Sequence, residues 1–242
     1  MEIIEGLPVI YIKSISSIVC SDLHLGYEGV LADRGTFLPK TNLMNILKIL
    51  KKAISNHKPK KLIITGDIKN DFSKVHLEEL NEYSSFINAV INELKINDIR
   101  IIKGNHDNFL DSLKKDNVII YSKQAKIGKY LFIHGSELPT DKRANFIIMG
   151  HIHPSILLFT DSGKKEKLQC FLICRNLQHQ SLIVLPAMSY FAEGMSINIE
   201  SVERMAPIFQ KIFNVNDSQV ICIGEGETLN FGKLEYLKRY IG

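Results

Sequence analysis

Five short segments of this 242-residue chain place metal-ligating side chains just after apolar runs. They are Ser21-Asp22-Leu23-His24-Leu25-Gly26, Thr65-Gly66-Asp67, Gly104-Asn105-His106-Asp107, Phe132-Ile133-His134-Gly135 and Gly150-His151-Ile152-His153-Pro154. Five of the eight histidines fall in them. Imidazole, carboxylate and amide oxygen form a hard-to-borderline donor set, suited to Mn, Fe, Zn or Ni rather than to a purely oxygen-loving ion. Four histidines, two aspartates and one asparagine are more donors than one ion takes from a protein. One carboxylate can bridge two ions about 3.5–4 Å apart. A hydroxide shared by such a pair is a nucleophile near neutral pH, and the pair neutralises charge building on a phosphoryl group.

Spacing supports this chemistry. Side chains two apart on an extended segment point the same way, so both members of Asp22-x-His24 and of His151-x-His153 can face one cluster. Gly66, Gly104 and Gly150 let tight loops bring backbone close to it. Each motif alone is weak, since Asp-x-His and Gly-Asp are common in turns. Their conjunction, in order and each after an apolar strand, is what carries the reading. His57, His76 and His179 have no partner motif and read as ordinary helix-end or loop residues.

The elements that must position these residues alternate in the first half. Residues 8–12, 15–20, 61–65, 99–102, 118–121, 130–133 and 146–149 read as strands. Thr41 can cap a helix running to about residue 55, with Leu43, Ile46, Leu47, Leu50 and Ile54 on its apolar face. A second helix is expected over about 75–94, with Leu80, Tyr83, Ile87, Val90, Ile91 and Leu94 as its stripe. Beyond Pro154 the helical period fades. Apolar runs at 156–159, 168–174, 182–185, 195–199, 208–213 and 220–223 read as strands of a largely antiparallel second sheet. Two packed sheets with helices outside, forming one domain over residues 1–242, is the expected architecture. Motifs at strand ends match where α/β sheets place their sites.

Composition limits the alternatives. With 45% hydrophobic and 23% charged residues the chain is of globular make-up. No apolar run approaches the roughly 18 residues of a membrane span, and the acidic start Met1-Glu2-Ile3-Ile4-Glu5 lacks the layout of a signal peptide. A net charge of +4 allows an anionic substrate without demanding one. Lys48, Lys51, Lys52, Lys58, Lys60 and Lys61 have no interleaved aromatic residue and read as a solvated face rather than a nucleic-acid track. Cys20, Cys170, Cys174 and Cys222 lie in apolar segments without zinc-ribbon spacing, as core residues of a reducing compartment. A cytoplasmic protein with no membrane partner is expected.

The ordered set Asp-x-His, Gly-Asp, Gly-Asn-His-Asp, His-Gly and Gly-His-x-His, from Asp22 to His153, resembles the calcineurin-like metallophosphoesterase superfamily. Asp22-Leu23-His24-Leu25-Gly26-Tyr27-Glu28 and Leu185-Pro186-Ala187 are similar to its Icc-like branch, which includes phosphoesterases associated with bacterial DNA ligases. The resemblance implies a four-layer α-β-β-α sandwich of two packed mixed sheets with a dinuclear site. By motif position it implies that Asp22, His24 and His153 hold one ion, that Asp67 bridges, and that Asn105, His134 and His151 hold the other. Manganese is favoured, with iron, nickel or zinc as alternatives. His106 is implied to act on the phosphate as general acid or transition-state hydrogen-bond donor. Phosphoprotein phosphatases orient that histidine with an Asp three residues after the bridging one. Here that position is Asn70, so Asp71, Asp107 or a backbone carbonyl must take the role.

The expected activity is hydrolysis of phosphoric esters by a metal-bound hydroxide. Phosphodiesters are favoured, with nucleotides or nucleic acid as substrates. A phosphomonoesterase is the alternative enzyme. A non-catalytic scaffold on the same fold is the alternative of another class, disfavoured because every ligand position and His106 are filled.

Overall fold

The computed structural model describes residues 1–74, 76–108, 110–113, 115–141, 144–159, 163–192, 194–224 and 226–239. Six strands form the first sheet, side by side in chain order: β1 (Glu2–Ile3), β2 (Ile10–Ile12), β3 (Ser17–Cys20), β4 (Lys61–Ile64), β5 (Asp98–Ile102) and β6 (Val118–Tyr121). From β3 to β6 all pairings are parallel. The second sheet holds β7 (Gln124–Ile127), β8 (Tyr130–Ile133), β9 (Phe146–Met149), β10 (Pro154–Phe159), β11 (Lys165–Arg175), β12 (Ser181–Val184), β13 (Met195–Ser196), β14 (Gln219–Gly224) and β15 (Glu227–Lys233). Its order is β13-β10-β11-β12-β9-β8-β7, with β14 also on β11 and β15 on β14. It is mixed, because β8–β9, β9–β12 and β10–β13 run parallel. The helices are α1 (Tyr27–Asp33), α2 (Asn42–Ile54), α3 (Leu77–Asn92), α4 (Pro207–Lys211) and α5 (Leu234–Arg239). Among the described residues, no helix is long and apolar enough to cross a membrane.

Period-two alternation explains the layering. In β3, Ile18 and Cys20 join a core with α2 and α3, while Val19 points the other way. In β4, Leu62 and Ile64 face the helices and Ile63 faces the second sheet. Across the gap, Phe132, Ile148, Phe171 and Ile183 answer Val19 and Ile63 in a core shared by both sheets. Their neighbours Leu131, Ile147, Leu172 and Leu182 face outward onto Ile208, Phe209, Phe213 and Leu234. Three apolar layers therefore separate four structural ones. Such strands are buried on both faces, which is why they read as short continuous apolar runs.

Several expectations change. The run 208–213 is not a strand. Pro207 opens the helix α4, and apolar residues at 208, 209, 212 and 213 follow a helical period onto the second sheet. Thr41 does not cap α2 with its side chain. The buried carboxylate of Glu28 accepts instead from the Thr41 and Asn42 amides, both at 2.8 Å. The start proposed for the second helix, Val75, lies outside the described residues; the helix is seen from Leu77.

Candidate metal centre

All five motifs meet at one edge of the sandwich. The loop after β3 continues the ladder to the loop after β4 beyond the strands themselves: Asp22 N donates to Gly66 O (3.0 Å), His24 N to Asp67 O (3.0 Å) and Leu25 N to Ile68 O (2.7 Å). From the second sheet, Gly150 N donates to His134 O (3.0 Å). The two sheets are tied here by Met188 N to Ser21 O (2.9 Å) and Ser189 N to Asp22 O (3.1 Å), just after Leu185-Pro186-Ala187.

The glycines are required by close approach. A Cβ on Gly104 would run into the carboxylate of Asp67, and one on Gly150 into Ser21 and Asp22. Backbone strain marks the same place. Asp22, His24, Asp67, His151 and His153 all have left-handed φ, between 43° and 74°. These are five of the nine non-glycine residues with positive φ among those described. Asp and His enter this region more readily than most side chains, but five such residues at one edge persist only where the surroundings enforce them.

The donors fall into two groups. Asp22, His24, Asp67 and His153 place one ligand atom each within 4.8 Å of one another, and so do Asp67, His134 and His151. Asp67 belongs to both. Asn105 joins the second group, its Oδ1 lying 2.9 Å from His134 Nε2. Thus the seven sequence-predicted donors are brought together, with His106 beside them. Its Nε2 is 3.9 Å from Asp67 Oδ2 and its backbone N–H donates to Asp67 Oδ1 at 3.0 Å.

His134 Nδ1 faces the Thr65 carbonyl at 3.0 Å and must donate to it. Its Nε2 then looks at Asp67 Oδ2 (3.4 Å) and His151 Nδ1 (3.1 Å). His151 in turn donates Nε2–H to Met205 O at 3.2 Å, so its Nδ1 presents a lone pair. His24 Nδ1 is buried with no hydrogen-bond partner among the described residues. Imidazole nitrogens converging on a carboxylate form a site for a cation, and His134 and His151 are each fixed by a hydrogen bond from the far nitrogen, as metal ligation asks.

Charge follows the same logic. Burial pushes His24 down to about 4, with His153 nearby adding to the shift. Burial and the neighbouring His134 take His151 down to about 4. Burial opposes the charge on His134 too, but the Asp67 carboxylate beside it wins and pushes it up to about 9. Burial would raise Asp22 and Asp67, yet their histidine neighbours hold both below the usual carboxylate range.

Neither carboxylate expected to orient His106 does so. Asp107 is buried and accepts from the backbone of Ile68 (2.8 Å), Lys69 (3.3 Å) and Gly104 (2.8 Å), pinning the two loops together. Asp71 folds back on the amides of Ser73 (2.8 Å) and Lys74 (3.1 Å) and pairs with Arg34 (2.9 Å). The third candidate, a backbone carbonyl, is what His106 meets: its Nδ1 donates to Asn70 O at 2.5 Å.

Three supporting residues escaped the sequence reading. Asn42 donates to the carbonyls of Leu23 (3.0 Å) and His24 (3.1 Å), fixing the first motif. Glu82 accepts from Gly26 N (2.7 Å) and Glu79 from Asn70 N (2.9 Å). The usable signal was polar residues on the apolar faces of amphipathic helices, where a buried carboxylate needs donors to satisfy it.

A family model described as calcineurin-like phosphoesterase matches residues 15–163. Nuclease MPE of Pseudomonas putida has a similar structure, with 18% identity, a TM-score of 0.60, and coverage of 92% of this chain and 93% of that one. YfcE, a phosphoesterase from E. coli, is 14% identical with a TM-score of 0.40, over 72% of this chain and 80% of that one. No curated protein matches the sequence.

Proposed function

The chain belongs to the calcineurin-like phosphoesterase family, and from that premise we propose that it is a dinuclear metal-dependent phosphodiesterase acting on nucleotides or nucleic acid. The observation that carries the reading is the sharing of Asp67 by two donor groups. Asp22, His24 and His153 would hold one ion, Asn105, His134 and His151 the other, and Asp67 both. Two divalent ions there would activate water and draw charge from the phosphoryl oxygens. Manganese suits a set mixing carboxylate, amide oxygen and imidazole, with iron, nickel and zinc as competitors.

The chain's own contribution is orientation and a proton. Because Nδ1 of His106 is committed to Asn70 O, its Nε2 faces the cleft. From there it supplies a proton to the leaving oxygen as the P–O bond breaks, while the oxygen of water is added to phosphorus.

A diester is favoured over a monoester by the walls. The cleft, about 400 Å³, is lined by Asp67, His106, His153 and Glu200, and no Lys or Arg lines it among the described residues. A dianionic monoester would gain from side-chain cations that a singly charged diester does not need. Phe72, 57% exposed, stands edge-on to His106 with ring centroids 5.8 Å apart, where an apolar or aromatic substituent would lie against it. The nuclease named among the similar structures points the same way. The four cysteines are free and buried, which fits a reducing cytoplasm. We take residues 1–242 as one domain, since both sheets share a core.

The test is a panel on metal-loaded protein: bis-p-nitrophenyl phosphate against p-nitrophenyl phosphate, then nucleotides and single- and double-stranded DNA. Faster turnover of the monoester would overturn the diester reading. Inactivity on all of them, with ions bound, would favour the scaffold.

A further inference from the structure

The peptide unit between Asn70 and Asp71 is gripped at both ends. Its carbonyl oxygen accepts from His106 Nδ1 at 2.5 Å. Its amide, the N–H of Asp71, donates to Glu79 Oε1 at 2.6 Å. The same oxygen accepts from Asn70 N at 2.9 Å, and Oε2 accepts from His76 N at 3.0 Å. Glu79 is 1% exposed, on the buried face at the start of α3. Buried Lys69 lies 3.8 Å from its Oε2 and donates to the carbonyls of Asp71 and Lys74, closing the loop over the carboxylate.

We propose that Glu79 is the positioning residue for His106, acting through the Asn70–Asp71 peptide as a relay. A carboxylate bonded to the amide end polarises the peptide and makes its carbonyl a stronger acceptor, because hydrogen bonds in series reinforce one another. The plane of the peptide also fixes where that carbonyl points, and so where Nε2 of His106 sits. The loop thus does with a backbone group and a distant Glu what a directly bonded carboxylate does elsewhere. Asp71 and Asp107 are left to hold the loops. Glu79 does not touch the substrate or either ion. This inference rests on the catalytic role given to His106 above.

The experiment is a double-variant cycle in the metal-loaded enzyme, using bis-p-nitrophenyl phosphate and the poorer-leaving diphenyl phosphate. Glu79→Leu should lower kcat on diphenyl phosphate by about 10²-fold, the size of effect that misplacing a catalytic group produces. The loss on the p-nitrophenyl ester should be smaller, with KM and metal content unchanged. Glu79→Gln, which keeps the shape but not the charge, should lose about fivefold, as expected when a hydrogen bond loses its charged partner. If Glu79 acts through His106, adding Glu79→Leu to His106→Ala should cost nothing further. Multiplying effects, or equal losses on both esters, would overturn the relay. Should Glu79→Leu fail to fold, the same cycle with Glu79→Gln decides. An unchanged rate in His106→Ala would instead overturn the role of His106. The relay would still be judged by proton NMR of zinc-loaded protein. There the hydrogen-bonded Nδ1 proton of His106 should lie far downfield and move upfield in Glu79→Gln, and a resonance that stays put would refute it.

Discussion

The two donor groups meet at one carboxylate yet are built differently. The first has two carboxylates, Asp22 and Asp67, with His24 and His153. The second shares Asp67 and otherwise offers only neutral donors, His134, His151 and Asn105. Since affinity for a divalent ion rises with the charge of its ligands, the first should be the tighter site. Both groups pair a histidine kept neutral by burial, His24 or His151, with one that a carboxylate pushes toward its charged form against burial, His153 by Asp22 and His134 by Asp67. An ion entering the first group finds a free lone pair on His24. Each ion must also displace a proton from the raised histidine of its group, His153 beside Asp22 in the first and His134 beside Asp67 in the second.

Removing the carboxylate common to both groups should have the largest effect. Asp67→Asn should lose both ions and with them nearly all turnover, because the charge between two cations is gone. Elemental analysis showing two ions retained, together with activity, would sink the shared site. His106→Ala should leave both groups filled and lower turnover by about 10²–10⁴-fold. Loss of an ion in that variant would move His106 into the second group.

Smaller changes should separate the groups. Asp22→Asn is expected to weaken the first ion more than Asn105→Ala weakens the second, since one removes a charge and the other a dipole. Competition titrations with a chelator would read the two affinities, and the reverse order would reverse the comparison. The smallest effect concerns pH. His134 carries a second proton, on Nε2, below about 9, so affinity of the second group should rise with pH up to that value, about tenfold per unit for one proton released. The first group should follow the same trend through His153, which Asp22 raises, while His24 adds no dependence above about 4. Calorimetry in buffers of different ionisation heat would count the protons.

Much of this was legible in the sequence because each motif ends a strand buried on both faces, so an apolar run stops abruptly at a ligand. Cys20, Ile64 and Ile133 mark such stops before Asp22, Asp67 and His134. The second half was less legible. Ile208 and Phe209 sit side by side on a one-turn helix, and over so short a stretch the helical period of 208, 209, 212 and 213 is easily taken for a strand's apolar run. The strand β15 contains Glu227, Asn230 and Lys233, has no fully buried residue, and carries little apolar signal. What orients His106 was narrowed only to Asp71, Asp107 or a backbone carbonyl. It is a backbone carbonyl, and residue types say nothing about where a peptide group points.

The left-handed backbone at Asp22, His24, Asp67, His151 and His153 has a consequence for the life of the protein. Strain of this kind costs about 1–3 kcal/mol per residue, and a whole domain is held by only about 5–15 kcal/mol. Ions that bind only the folded chain add stability by mass action. The abundance of the protein should therefore follow the supply of metal. Starved of ions, it should open first at this edge and be degraded, leaving mainly loaded molecules in the cell.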